Sequence, residues 1–192
     1  MARKYEFKPD KPASGLLNKL FLTQKQRKSV LKWGLYSLVL LLLSILQDVL
    51  LCRFRFLGAT TELIPCGIFL ICLLEGLETG SVFSLCASCF YLFSGSAAGN
   101  YSIVFITTLS IVVTFFRQNF LRKGFSAAML CTSAAMLLYE LAVFAIGLFL
   151  GLTTLGRIGS RCMTVLLTLA TVPALYPVLH TISTIGGEAW KE

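Results

Sequence analysis

The nine residues Leu38-Val-Leu-Leu-Leu-Leu-Ser-Ile-Leu46 contain a single polar side chain, the hydroxyl of Ser44. They form the centre of an apolar run from about Trp33 to Leu51, close to the roughly twenty residues that a helix needs to cross the hydrocarbon of a bilayer. Because the run is continuous and does not alternate with a period of two, it predicts a membrane helix and not a barrel strand. This stretch places the chain among membrane proteins.

The composition of the whole chain agrees with that interpretation. Of 192 residues, 56% are hydrophobic and 14% are charged, whereas a soluble domain of this length would carry roughly a quarter charged residues. Five further apolar runs predict an all-α, polytopic bundle of about six transmembrane helices: Leu63–Leu74, Gly80–Phe93, Tyr101–Phe116, Phe125–Leu150 and Met163–Ile185. The run Leu63–Leu74 is too short to cross the hydrocarbon alone. We therefore expect it to tilt little, to extend into the flanking sequence or to be partly re-entrant.

The basic residues predict the orientation. Nine of the 17 lie at or before the start of the first run: Arg3, Lys4, Lys8, Lys11, Lys19, Lys25, Arg27, Lys28 and Lys32. Lysine and arginine beside a span stay on the cytoplasmic side, so we expect a cytoplasmic N-terminus. Six spans would then place Arg117, Arg122, Lys123 and Lys191 inside, and Arg53, Arg55, Arg157 and Arg161 outside. The net charge of +8 is thus explained by topology, and no nucleic-acid partner is expected.

This topology predicts three regions in a membrane protein. Residues 1–32 would form a basic cytoplasmic arm, residues 33–187 the membrane domain, and residues 188–192 a short cytoplasmic tail. Within the arm, Ser14 could cap a helix that lies on the inner leaflet, with membrane lipid as its partner. The alternative is a basic arm without structure. About thirty polar residues precede the first apolar run, so a secretory signal peptide is not expected.

A series of small residues marks the third run. Gly76, Gly80, Ser84 and Ser88 recur every four residues, and Ser94-Gly-Ser-Ala-Ala-Gly99 follows. Small residues let membrane helices approach closely. We therefore interpret this set, with Gly95 and Gly99, as a helix-packing surface, either within the bundle or against a partner. The final cluster is expected to break the helix and turn the chain into the fourth span.

The order of these features resembles the MreD family of rod-shape-determining proteins. The resemblance covers most of the chain: a basic N-terminus, a first helix closing with Gln47, a short second helix, the third helix ending in Phe93-Ser-Gly-Ser-Ala-Ala-Gly99, and a last helix containing Val172-Pro-Ala-Leu-Tyr-Pro177. Family members commonly have glycines where this chain has Ser84 and Ser88. Counted back from Gly95, Tyr91 stands where they carry an aspartate, so no role of that aspartate is transferred.

The resemblance implies a non-enzymatic integral membrane component of the bacterial cell-wall elongation machinery. Such a protein would scaffold or position wall-synthesis partners. Those partners are an MreC-like single-span membrane protein, an MreB-like actin homologue, and a glycan polymerase with its transpeptidase.

Three polar residues within or beside the apolar runs are functional candidates. Glu140 lies near the middle of the fifth run, where a carboxylate must face protein or water or be protonated. Asp48 and Gln47 close the first run, and Asp48 is expected to pair with Arg53 or Arg55 as an interfacial anchor. For Glu140, a structural hydrogen bond and a contact with substrate, proton or partner both remain open.

No catalytic, cofactor or metal site is expected. The single histidine, His180, together with Ser94 or Ser96, suggests an intramembrane serine protease, but the sequence lacks the Gly-x-Ser-Gly pattern and gives no sign that base and nucleophile are neighbours. Cys86 and Cys89 have the spacing of a redox pair, yet no cation nearby would stabilise a thiolate. One histidine and scattered cysteines do not form a metal-ligand cluster.

A second function fits the size equally well. The substrate-binding component of an energy-coupling-factor vitamin transporter also has about six helices. It should carry a polar, aromatic-lined pocket toward the outside, and the sequence places the candidates far apart: Asp48, Arg53, Arg55, Glu62, Tyr101, Arg157 and Arg161. Their separation along the chain favours the scaffold interpretation.

Overall fold

The computed structural model describes residues 24–51, 59–120 and 124–185, and these residues form six α-helices. Their bounds are α1 Gln24–Ile45, α2 Leu63–Glu75, α3 Leu77–Phe93, α4 Tyr101–Phe120, α5 Phe125–Phe149 and α6 Ile158–Ser183. A π-helical segment, Leu46–Leu50, continues α1, and a short 3₁₀ turn, Leu155–Arg157, precedes α6. The all-α class expected from the apolar runs is confirmed.

The shortest helix stands at the centre of the bundle. All thirteen residues of α2 are buried, and the other five helices pack around it. The ring closes between α1 and α3, where Trp33 and Tyr36 contact the ring of Phe83 at centroid distances of 5.3 and 6.0 Å. The ends of an apolar helix that is too short to cross the hydrocarbon would have unsatisfied backbone groups in lipid, so protein has to surround it. This placement explains a run of apolar residues too short to cross a bilayer.

Four helices are long and apolar enough to cross a membrane, which is the pattern of a multi-pass membrane protein. They correspond to α1, α4, α5 and α6, while α2 and α3 are shorter. Large apolar side chains cover the outside of the bundle, among them Leu38, Val104, Leu141 and Leu166, each more than half exposed. Polar side chains such as Thr132 and Thr168 are fully buried. This distribution suits lipid outside and hydrogen bonds inside.

Successive helices run in opposite directions, so the bundle has two ends. At one, which we call the Lys32 end, α1 and α3 begin and α2 ends. At the other, the Arg161 end, α1 ends near the beginnings of α4 and α6. One residue, Gly76, separates α2 from α3, and its φ of 94° lies in the left-handed region that favours glycine. The chain therefore reverses there without a loop.

The turn from α3 to α4 confirms the expected helix break. Gly95, with φ of 77°, lies two residues after Phe93, the last residue of α3. Arg27 and Lys28, in the predicted basic arm, lie on α1, which begins at Gln24. Ser14 and the other arm residues up to 23 lie outside the described residues, as do Arg53, Arg55, Arg122, Lys123, Lys191 and the predicted tail.

Candidate functional site

The N-terminus of α2 is held by two side chains from neighbouring helices. Oε1 of Gln47 accepts hydrogen bonds from the backbone N–H groups of Leu63 at 2.8 Å and Ile64 at 3.1 Å. The hydroxyl oxygen of Thr168, in the middle of α6, accepts the N–H of Glu62 at 3.0 Å. The first N–H groups of a helix have no acceptor within it. Gln47 and Thr168 supply the acceptors that a buried helix start cannot take from water.

A charged cluster lies beside this helix start. Nη1 of Arg161, in the first turn of α6, is 3.2 Å from Oε2 of Glu140 on α5 and 4.0 Å from Oε1 of Glu62. The Glu140 side chain is 3% exposed, whereas that of Arg161 is 37% exposed. The long arginine side chain therefore reaches inward from the bundle end to a carboxylate that water does not reach.

Burial and neighbouring charges both act on the Glu62 carboxyl group. Burial raises the pKa of Glu62 well above its ordinary value, and the negative charge of Glu140 raises it further, while Arg161 lowers it. The closer carboxylate, Glu140, is the ionic partner of Arg161. Arg161 therefore pairs with Glu140 more closely than with Glu62, and burial favours the neutral form of Glu62.

A cavity of about 750 Å³ lies above this cluster at the Arg161 end. Its wall combines the start of α4, the last turns of α5 and the start of α6. Tyr101, Arg157, Ser160 and Arg161 supply polar groups, and Val143, Phe144 and Leu152 supply apolar ones. Cavities of this volume are typical of small-molecule sites. This cavity and the cluster beneath it are the candidate functional site.

The expectation that the pocket candidates are scattered is wrong for four of them. Tyr101, Arg157 and Arg161 line one cavity, and Glu62 lies 4.0 Å from Arg161. They come together because α4 and α6 begin, and the chain enters α2, at the same end of the bundle. Arg53 and Arg55 fall outside the described residues.

Asp48 has partners that the sequence did not predict. It accepts hydrogen bonds from the hydroxyl groups of Ser44 at 3.3 Å and of Ser96 at 2.7 Å. These contacts tie the end of α1 to the turn between α3 and α4. The predicted pairing with Arg53 or Arg55 involves residues outside the described part of the chain.

The small residues of α3 pack inside this chain. A Cβ atom at Gly80 would lie 3.1 Å from the backbone Cα and O atoms of Cys72 on α2, and Ser84 and Ser88 are at most 1% exposed. Gly76 forms the turn before α3. Gly95 and Gly99 belong to the turn after it, where a Cβ at Gly99 would meet the ring of Tyr101 at 2.6 Å.

The opposite end of α2 is also held by polar contacts. Nζ of Lys32 lies 2.7 Å from Oε1 of Glu75, and the hydroxyl of Tyr36 donates to the same oxygen at 2.6 Å. Arg117, near the end of α4, donates to the backbone oxygen of Leu73. Cations are favoured at a helix C-terminus, where carbonyl groups are exposed.

The histidine and the two serines considered from sequence lie at opposite ends of the bundle. His180 lies near the Lys32 end and stacks on Tyr176 with ring centroids 5.6 Å apart, whereas Ser94 and Ser96 lie in the turn at the Arg161 end. Cys86 is exposed and Cys89 partly so, and both are free. Within the described ranges, histidine, cysteine and carboxylate side chains nowhere form a group of three that could hold a metal ion.

Sequence reasoning identified Glu140, Asp48 and Gln47 but not their partners. In the sequence, Lys32 and Arg161 indicate only the orientation of the chain in the membrane. Thr168 is a single hydroxyl in an apolar run and indicates no partner. One sequence signal could have pointed to these partners. An isolated acid in the membrane domain requires a partner, and isolated cations of the same domain are the candidates. No comparison with known protein families, curated proteins or solved structures finds a match for this chain.

Proposed function

We propose that this chain is a non-enzymatic, multi-pass component of the bacterial cell-wall elongation machinery in the plasma membrane. Its N-terminus would be cytoplasmic, with six helices embedded in the bilayer. It would position an MreC-like single-span protein, an MreB-like actin homologue, and a glycan polymerase with its transpeptidase. The resemblance of the sequence to the MreD family is the reason for proposing the cell-wall elongation machinery.

The structural observation that supports the proposal is the restraint of α2 at both ends. Gln47 and Thr168 hold its start, and Lys32 and Arg117 hold its end. Five helices are arranged around this fixed axis. A protein that positions partners needs a frame that keeps its outer surfaces in one arrangement, and satisfied polar networks rigidify a core.

The deciding experiment is affinity purification of the tagged chain from membranes in mild detergent. Recovery of wall-elongation proteins supports the proposal, and recovery of a transporter's energising module contradicts it. Deletion of the chain in a rod-shaped host should alter cell shape and the distribution of new wall. An N-terminal tag that is accessible from outside intact cells would refute the assigned orientation.

The cavity favours a second function, the substrate-binding component of an energy-coupling-factor vitamin transporter. The grouping of Tyr101, Arg157 and Arg161 around one space supplies the pocket that this function needs. Binding of a vitamin with nanomolar affinity by the purified protein would establish it. Absence of binding across the vitamins would leave the scaffold function as the proposal.

A further inference from the structure

The cavity at the Arg161 end has a positively charged rim. Arg157 and Arg161 both line it, from the 3₁₀ turn and the first turn of α6. Arg161 is neutralised by Glu140 at 3.2 Å. Arg157 has no carboxylate within 4.0 Å among the residues that the structure describes. One arginine of the pair is therefore free to neutralise a ligand.

The backbone adds to the positive potential of this wall. The 26-residue helix α6 begins at Ile158, beside Gly156, Arg157 and Ser160 of the lining, and no side chain caps this end. The N-terminus of a helix carries a partial positive charge. Tyr101 and the apolar side chains of Val143, Phe144 and Leu152 also line the cavity.

We propose that this cavity binds a phosphate ester, with its phosphate at Arg157 and its organic part against Phe144 and Leu152. Arginine donates hydrogen bonds in a planar fork that matches phosphate oxygens. The apolar wall would exclude water from one side of the ester. Because Arg161 pairs with Glu140 at 3.2 Å, Arg157 is the cation available to the anion. The inference holds under either proposed function.

The ester could be a soluble phosphate ester or the headgroup of an anionic lipid. The test uses the full chain purified in mild detergent and three probes: sn-glycerol 3-phosphate, phosphatidylglycerol and phosphatidylcholine. Binding is measured by calorimetry for the soluble ester and by native mass spectrometry for the lipids. Phosphatidylcholine carries its own compensating cation and should bind more weakly than phosphatidylglycerol. Binding of phosphatidylglycerol alone identifies a lipid headgroup, and binding of glycerol phosphate identifies a soluble ligand.

Two pairs of variants separate the cavity from general charge effects. Arg157→Gln removes the free cation, and its control, Arg27→Gln, removes an exposed cation at the Lys32 end. Gly156→Leu fills the cavity from its lining, and Gly159→Leu adds the same side chain nearby but outside the lining. At both glycines an added Cβ meets nothing within 4 Å, so all four variants should fold.

The expected result is binding by wild type and both controls, and affinity about tenfold weaker in Arg157→Gln and Gly156→Leu. If neither sn-glycerol 3-phosphate nor phosphatidylglycerol binds, the proposal is wrong. It is also wrong if Arg157→Gln or Gly156→Leu binds as well as its control. These readouts do not involve wall-elongation partners, so a failed partner purification and a failed ligand test remain distinguishable.

Discussion

Nζ of Lys32 lies 2.7 Å from Oε1 of Glu75, and both side chains are less than 10% exposed. This ion pair joins α1 to the C-terminal residue of α2. The hydroxyl of Tyr36 donates to the same carboxylate oxygen at 2.6 Å. A carboxylate withdrawn from water in this way depends on the partners that the bundle supplies.

Replacing Lys32 should therefore destabilise the bundle. Lys32→Met leaves the Glu75 carboxylate buried without its cation, and loss of one partner of a buried pair costs about 3–5 kcal/mol. Thermal unfolding in detergent measures the effect. Lys28→Met, which removes an exposed cation from the same helix, is the control and should unfold like wild type. The double variant Lys32→Met with Glu75→Gln should recover part of the loss. An unchanged unfolding temperature in Lys32→Met would show that the pair is not needed.

The two arginines at the Arg161 end should respond differently to the same substitution. Arg161→Met leaves the Glu140 carboxylate unpaired at 3% exposure, with an expected cost of about 3–5 kcal/mol. Arg157→Met should change stability by less than about 0.5 kcal/mol, because Arg157 is exposed. Unfolding of both variants under the same conditions provides the comparison. Equal stabilities would contradict the assignment of Arg161 as the partner of Glu140.

Removing the amide at the start of α2 should loosen the central helix. Gln47→Ala deprives the N–H groups of Leu63 and Ile64 of their acceptor, and unsatisfied buried donors cost about 1–3 kcal/mol. Hydrogen exchange at these two amides should accelerate. Gln118→Ala, at a partly exposed position of α4, serves as the control. Unchanged protection of both amides in Gln47→Ala would mean that the Gln47 side chain does not hold α2.

Enlarging Gly80 should disturb folding, and partner binding only as a consequence. In Gly80→Leu the new side chain would start 3.1 Å from the backbone of Cys72, and overpacking of a tight contact costs about 1–3 kcal/mol or more. The expected result is a lower unfolding temperature of the isolated chain. Gly34→Leu, where nothing lies within 4 Å of the added Cβ, should be tolerated. If Gly80→Leu unfolds like wild type and loses only its partners, α3 contacts them through this surface.

Six helices were expected from six apolar runs, and their bounds agree within a few residues except at the starts of α1 and α6. The sixth run was expected to begin at Met163, but α6 begins at Ile158. That difference places Arg161 inside a helical turn, aimed at Glu140, and not in an outer loop. A hydrophobicity pattern detects where apolar residues start, whereas a helix can begin earlier if its polar side chains find partners.

The order and length of apolar residues along one chain were enough to predict an all-α protein with membrane-spanning helices, because hydrocarbon demands backbone hydrogen bonding within each segment. That information is local. Other features depend on contacts between residues up to 106 positions apart. They are the central position of α2, the capping of its start by Gln47 and Thr168, and the cavity lined by Tyr101, Arg157 and Arg161. Such contacts arise only when the helices pack in one particular arrangement, which no single segment encodes.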